Sequence, residues 1–247
     1  ALGAVLRGPS RPGRLAALFA VSAVLMATLV VGPFHLARPL AQSAGQVGLA
    51  MADGPVVVAP AGRPAGRLVD RFGPGPMARL GVAGVVAGCL GLASAPLGWG
   101  LAGYLLPLAV LTAHYALFQA ATLAALMSDV PAGERGTLAG LVQLPRQLGL
   151  MAGAAALGAV FAWAVAARGA SADPAQAAAW GMRVTFAVAG AVLLAGATVG
   201  ATTAAATRAA RGARRAWRGR ARPRRHRCHL SGCEDAQRPA PVDRRAP

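Results

Sequence analysis

The stretch Met77–Pro96, MARLGVAGVVAGCLGLASAP, carries no polar face beyond Arg79. A surface helix of a water-soluble bundle keeps a broad polar stripe opposite its apolar one, so this segment is not built for water. Five more apolar runs of similar length accompany it, and the six fall at roughly 15–36, 47–67, 77–96, 101–127, 138–167 and 181–203. A helix of about 20 residues crosses a bilayer. The breaks between the runs hold Gly, Pro or charge, as turns do. The runs do not alternate, and barrel strands take only about 9–11 residues each. The pattern predicts an all-α polytopic membrane protein with about six transmembrane helices. It divides the chain into an N-terminal segment 1–14, a bundle over 15–205 and a tail over 206–247.

Composition agrees. Charged residues make up 13% of the 247, about half the usual share in soluble domains, and the mean hydropathy is +0.50. All 25 basic residues counted as Lys or Arg are arginines, giving a net charge of +17. Cys89, Cys228 and Cys233 are too few and too scattered for a disulfide framework. No nucleophile–base pair, phosphate loop or zinc signature appears, so an enzyme, a cofactor and a bound metal are not expected. His226, Cys228, His229 and Cys233 match no metal-binding spacing.

Arginine placement sets an expected orientation. Arg7, Arg11 and Arg14 precede the first run, Arg63, Arg67, Arg71 and Arg79 bracket the link between the second and third, and Glu134 and Arg135 lie between the fourth and fifth. The opposite loops hold only Arg38, the uncharged Ala95–Gly98 and the segment from Arg168 to Arg183. The positive-inside rule then places both termini in the cytoplasm, with the plasma membrane as the expected location. The tail from Arg208 onward holds thirteen of the arginines. Its composition predicts disorder and attraction to anionic lipid. Specific nucleic-acid binding is not expected, since Trp217 is the sole aromatic there.

The link Gly66–Pro76, GRLVDRFGPGP, concentrates an acid and two arginines between apolar runs. Gly66 and Gly73 relieve the turn sterically, and Asp70 suits a neighbouring helix N-terminus. Gly66, Asp70, Arg71 and Gly73 are therefore candidates for a conformational latch. Gly66-x-Leu68-x-Asp70-Arg71-x-Gly73 resembles the short-loop signature of the major facilitator superfamily. The region from Gly45 to Gly91, the run Val130–Gly136 and Arg146-Gln147-Leu148-Gly149 resemble the fourteen-span drug:proton antiporter branch. The resemblance covers roughly residues 10–205. It implies the C-terminal half of a larger transporter, coupling proton entry to efflux of small, drug-like molecules. It also implies that a missing N-terminal half, or a second copy, completes the cavity. The signature's closing basic pair is replaced here by Pro74 and Gly75. The other reading of the chain is a six-span membrane anchor or scaffold with a lipid-binding basic tail.

Polar groups inside spans mark functional candidates, because a charge at the bilayer centre costs at least about 2.5–3.5 kcal/mol. Asp53, in the outer half of the second run, and Arg146, after Pro145 in the fifth, are the proton-coupling candidates. Thr112, Tyr115, Gln119 and Thr122 recur at helical spacing in the fourth run and, with Gln143, are candidates to line a substrate path. His114 lies off that stripe and is expected to be a packing residue. Gly81, Gly84, Gly88 and Gly91 share a face of the third run, while Gly149 with Gly153 and Gly196 with Gly200 repeat the spacing that lets membrane helices approach closely.

Overall fold

The computed structural model describes residues 11–128, 133, 135–169 and 173–220. Among the described residues every regular element is helical. These are α1 (Arg11–Ala37), α2 (Ala44–Met51), α3 (Asp53–Phe72), α4 (Pro74–Ser94), a 3-10 turn at Leu97–Trp99, α5 (Gly100–Met127), α6 (Arg135–Ala166) and α7 (Pro174–Arg220). Five stretches are long and apolar enough to cross a membrane: Gly13–Ala37, Pro74–Ser94, Gly100–Met127, Arg135–Ala166 and Pro174–Thr198. The chain is an all-α, multi-pass membrane protein. By internal contacts it divides into Ala1–Ala204 and Ala205–Pro247, and the bundle belongs to the first.

The second expected span, 47–67, is the exception. It is cut at Ala52 into α2 and α3. Ser43 caps α2 with a reciprocal pair: its hydroxyl accepts from Gln46 N at 3.4 Å, and its own N–H donates to Gln46 Oε1 at 2.9 Å. Asp53, Gly54 and Pro55 then restart the helix. The new helix is two-faced, with Ala65 and Val69 buried and Arg63, Arg67 and Asp70 exposed, which keeps it below the apolar content of the other five. Geometry still makes it a crossing element. Arg14 Nη1 donates to Ala125 O at 2.8 Å, placing the N-terminus of α1 at the C-terminal end of α5. Since α4 runs antiparallel to α5, its N-terminus lies at that same end. Together α2 and α3 must carry the chain the length of the bundle, and α3 does so along α5, packing Ala65 and Val69 with Leu117 and Ala121.

Glycines set the two closest helix pairs. A methyl group on Gly81 would lie 2.7 Å from Phe118 Cα, on Gly88 2.9 Å from Leu111 Cα and on Gly91 2.9 Å from Pro107 Cβ; at Gly84 it would run into the His114 ring. Residue numbers rise on α4 while they fall on α5, so the pair is antiparallel. On α6, Gly149 and Gly153 rest directly on the α1 backbone at Phe19 and Ala23, numbers rising together, so this pair is parallel. Close approach of this kind replaces the missing hydrophobic drive between helices in lipid. In contrast, Gly196 has no atom within 4 Å of where its methyl would be, so on α7 that spacing makes no groove at this position.

Helix α7 begins at Pro174, a residue suited to the first helical position, and continues to Arg220. The helix therefore extends past residue 206, where the composition predicts disorder to begin; residues 221–247, including His226, Cys228, His229 and Cys233, lie outside the described residues. Side chains from α1, α4, α5, α6 and α7 meet in one core that includes Leu18, Leu92, Tyr104, Leu111, Leu138 and Phe186. Leu49, Leu106, Met151 and Trp163 point outward, as lipid-facing side chains do.

Candidate functional site

The middle of the bundle holds one polar junction. Arg146 on α6 donates from Nε to the Tyr115 hydroxyl on α5 at 3.2 Å and from Nη1 to Gln143 Oε1, one turn away, at 3.3 Å. Tyr115 is buried, Arg146 half-buried and Gln143 exposed. The arginine thus binds an acceptor on each side while part of its surface stays open. An arginine suits this role because its planar donors are fixed in a fork and its charge is permanent. Three sequence candidates, Arg146, Tyr115 and Gln143, come together here.

The rest of the α5 stripe continues along the same helix. Thr112 and Thr122 are buried and Gln119 is half-buried. The Thr112 hydroxyl donates to Leu108 O of its own helix at 2.7 Å, so that group is satisfied locally. His114 sits against Gly84 with Nδ1 2.8 Å from Val110 O; a carbonyl only accepts, so Nδ1 is the protonated donor.

The latch residues occupy the turn from α3 to α4 but are not drawn together. Gly73 has φ 84° and ψ 156°, a conformation open to glycine and strained for any side chain. Asp70 and Arg71 are exposed. Arg71 lays its guanidinium 5.4 Å from the Phe72 ring centroid, and among the described residues no hydrogen bond or ion pair engages Asp70. Gly66 faces open space.

At the opposite end of the bundle lies a group that sequence reasoning found only in part. Asp53, at the start of α3, is half-buried, with its Oδ2 enclosed and without a hydrogen-bond partner among the described residues. His35 Nδ1 and the Tyr104 hydroxyl are likewise enclosed and unpartnered. His35, in the last turn of α1, and Tyr104, in the first turns of α5, stack with ring centroids 5.9 Å apart. Gly32 makes room for them: a methyl there would strike the Tyr104 hydroxyl and lie 2.9 Å from Met51 Cε, two residues before Asp53. Arg183 on α7 donates from Nη2 to Ala95 O at 3.4 Å and bears electrostatically on His35. His35 and Tyr104 share no helix and no spacing. The one signal in the sequence is that both sit within a turn or so of the same predicted membrane surface.

A search among curated proteins finds no match. The family model described as Major Facilitator Superfamily matches residues 1–154, a span that contains the α3–α4 turn, all of α5 and the Tyr115–Arg146–Gln143 junction. A multi-pass helical bundle with the glycine-packed helix pairs and intramembrane polar junction described above fits that match, and the chain belongs to the major facilitator superfamily of transmembrane transporters.

Proposed function

We propose that the chain forms one wall of a proton-coupled exporter of small, drug-like molecules that works by alternating access. The observation that carries this reading is the Tyr115–Arg146–Gln143 junction, which puts a permanent charge among the spans. A half-buried arginine bonded to neutral acceptors retains unspent donors, and a substrate's acceptor groups can compete for them. Thr112, Gln119 and Thr122 extend the path along α5. Asp53 is the proton-coupling group, and Arg146 is the charge that its protonation state must balance.

The cavity needs a second wall. On α6, Gln143 and Gln147 are exposed beside Leu144, Leu148 and Met151, and polar side chains facing lipid are costly. An N-terminal half, or a second copy, covers that face in this reading. Both termini lie in the cytoplasm at the plasma membrane, and the arginine-rich tail meets anionic lipid. The α3–α4 turn, with Gly66, Asp70, Arg71 and Gly73, latches the cytoplasmic side in one of the two states, which accounts for Asp70 standing free in this one.

The test is flux of a fluorescent cationic drug into liposomes under an imposed proton gradient, with the chain alone and joined to an N-terminal half. Saturable, gradient-driven flux that disappears in Arg146→Ala and Asp53→Asn, at equal insertion, is expected of the joined form. Gradient-independent leakage in both arrangements overturns the reading.

A further inference from the structure

Three helices contribute enclosed polar atoms without partners among the described residues, His35 Nδ1, Tyr104 Oη and Asp53 Oδ2, and Tyr104 links the other two: its ring stacks on His35 and it feels the Asp53 carboxylate. His35 is 5% exposed and Tyr104 1%, so bulk water does not reach most of either side chain. An enclosed polar group without a partner costs about 1–3 kcal/mol, and three such groups in one place are not tolerated as a packing accident. A buried water typically makes about three hydrogen bonds to groups of this kind.

We propose that His35, Asp53 and Tyr104 form a hydrated proton-binding site, in which water bridges the three atoms and one proton is held between the imidazole and the carboxylate. The two ends have complementary chemistry. Neutral imidazole accepts a proton at its free nitrogen, a carboxylate accepts one at oxygen, and a tyrosine hydroxyl both donates and accepts, so Tyr104 can bridge whichever group is charged to whichever is not. The step is a simple transfer. A hydronium ion gives its proton to His35 Nδ1 or Asp53 Oδ2 and leaves as water; no other bond forms or breaks.

Charges border the site from several elements. Arg183 from α7 bears electrostatically on His35 and Asp53 from α3 on Tyr104, while Arg38 follows His35 in the chain and Arg168 lies over the Trp180 ring at 4.3 Å. The helix α6 brings Phe161 to this end, its ring 5.7 Å from that of Phe34. With Asp53 ionised, Arg183 charged and His35 neutral, the cluster has no net charge; uptake of a proton makes it positive. Packing confines the exchange to the three side chains, because Gly32 sets the Tyr104 hydroxyl hard against α1 beside Met51. This site gives Asp53 its partners and so rests on the proton-coupling reading, yet its chemistry is tested without any transport.

The experiment is nitrogen-15 NMR of the histidines in the full chain in lipid nanodiscs, with the His35 signal assigned by its loss in His35→Gln. His35 is expected to take up a proton as the pH is lowered. Its midpoint should move to lower pH by at least about half a unit in Asp53→Asn, the size of a charge effect across several ångströms. Arg183→Gln should move it the opposite way, and Asp53→Glu should restore the coupling. Tyr104→Phe should alter the His35 nitrogen shift at fixed pH. A His35 signal that does not titrate, or that titrates identically in wild type, Asp53→Asn and Arg183→Gln, overturns the site. Coupled titration alongside unchanged transport in Asp53→Asn would leave the site standing and sink the proposed role of Asp53 in export.

Discussion

Arg146 Nε donates to the Tyr115 hydroxyl at 3.2 Å, a side chain to side chain hydrogen bond between two helices. It ties α6 to α5 where few other contacts do so. Hydrogen bonds to a charged group contribute about 1.5–3 kcal/mol, so Tyr115→Phe should lower the thermal midpoint in detergent measurably. Arg146→Lys should be worse for transport than for stability. A lysine brings the charge but not the fork that reaches Tyr115 and Gln143 together, and flux should fall about tenfold, the equivalent of 1.4 kcal/mol. Wild-type flux in Arg146→Lys would show that charge alone suffices there.

Packing of α6 on α1 predicts a sharper effect. Gly153 sits against the Ala23 backbone, with a methyl placed 2.6 Å from Ala23 Cα, and a backbone neighbour cannot rotate away. Overpacking typically costs about 1–3 kcal/mol. Gly153→Val should therefore destabilise the bundle by that amount or more, while Ala155→Val, on the exposed side of the same helix, should be near neutral. Equal thermal midpoints for the two variants would mean that α1 and α6 can slide apart at little cost.

The sequence carried the helices better than their meetings. Length and hydropathy located five spans, since both are properties of a segment alone. The second run misled because the apolar residues over 47–67 hide a change of character at Asp53-Gly54-Pro55, where a half-apolar, arginine-bearing helix begins. The glycine spacing on α4 and α6 foretold two tight helix pairs, but the same spacing beginning at Gly196 did not, because spacing specifies a groove and not its occupant. Tyr115, Arg146 and Gln143 were each legible as polar groups in spans. Their junction was not, for nothing in the chain records that α5 and α6 bring them within hydrogen-bonding reach. His35 and Tyr104 escaped notice for the same reason.

The turn between α3 and α4 separates a backbone demand from a charge demand. Gly73 at φ 84° and ψ 156° has open space around it, yet its backbone conformation strains any side chain by about 1–3 kcal/mol. Gly73→Ala should lower stability by about that much. Asp70 is exposed, so Asp70→Asn should leave the thermal midpoint within about 0.5 kcal/mol of wild type. If Asp70 engages a partner in the other transport state, the same variant should still slow flux. Intact flux at equal expression would reduce Asp70 to part of a charged loop.

Gly32 and Tyr104 provide a test of the other end. A methyl on Gly32 would collide with the Tyr104 hydroxyl first; the next neighbours are Met51 Cε at 2.9 Å and Tyr104 Cζ at 3.3 Å. The Met51 methyl ends a flexible chain and can turn aside, whereas the tyrosine ring is held in its stack with His35. Gly32→Ala alone should therefore destabilise by about 1–3 kcal/mol. Tyr104→Phe removes the oxygen that the methyl would meet, and its own cost is read separately from the single variant. In the double variant the collision is largely gone, and the penalty of Gly32→Ala should shrink by at least about 1 kcal/mol, read as the coupling energy of a double-mutant cycle. Strict additivity would show that the hydroxyl is not what Gly32 accommodates, and that this glycine admits Met51 instead.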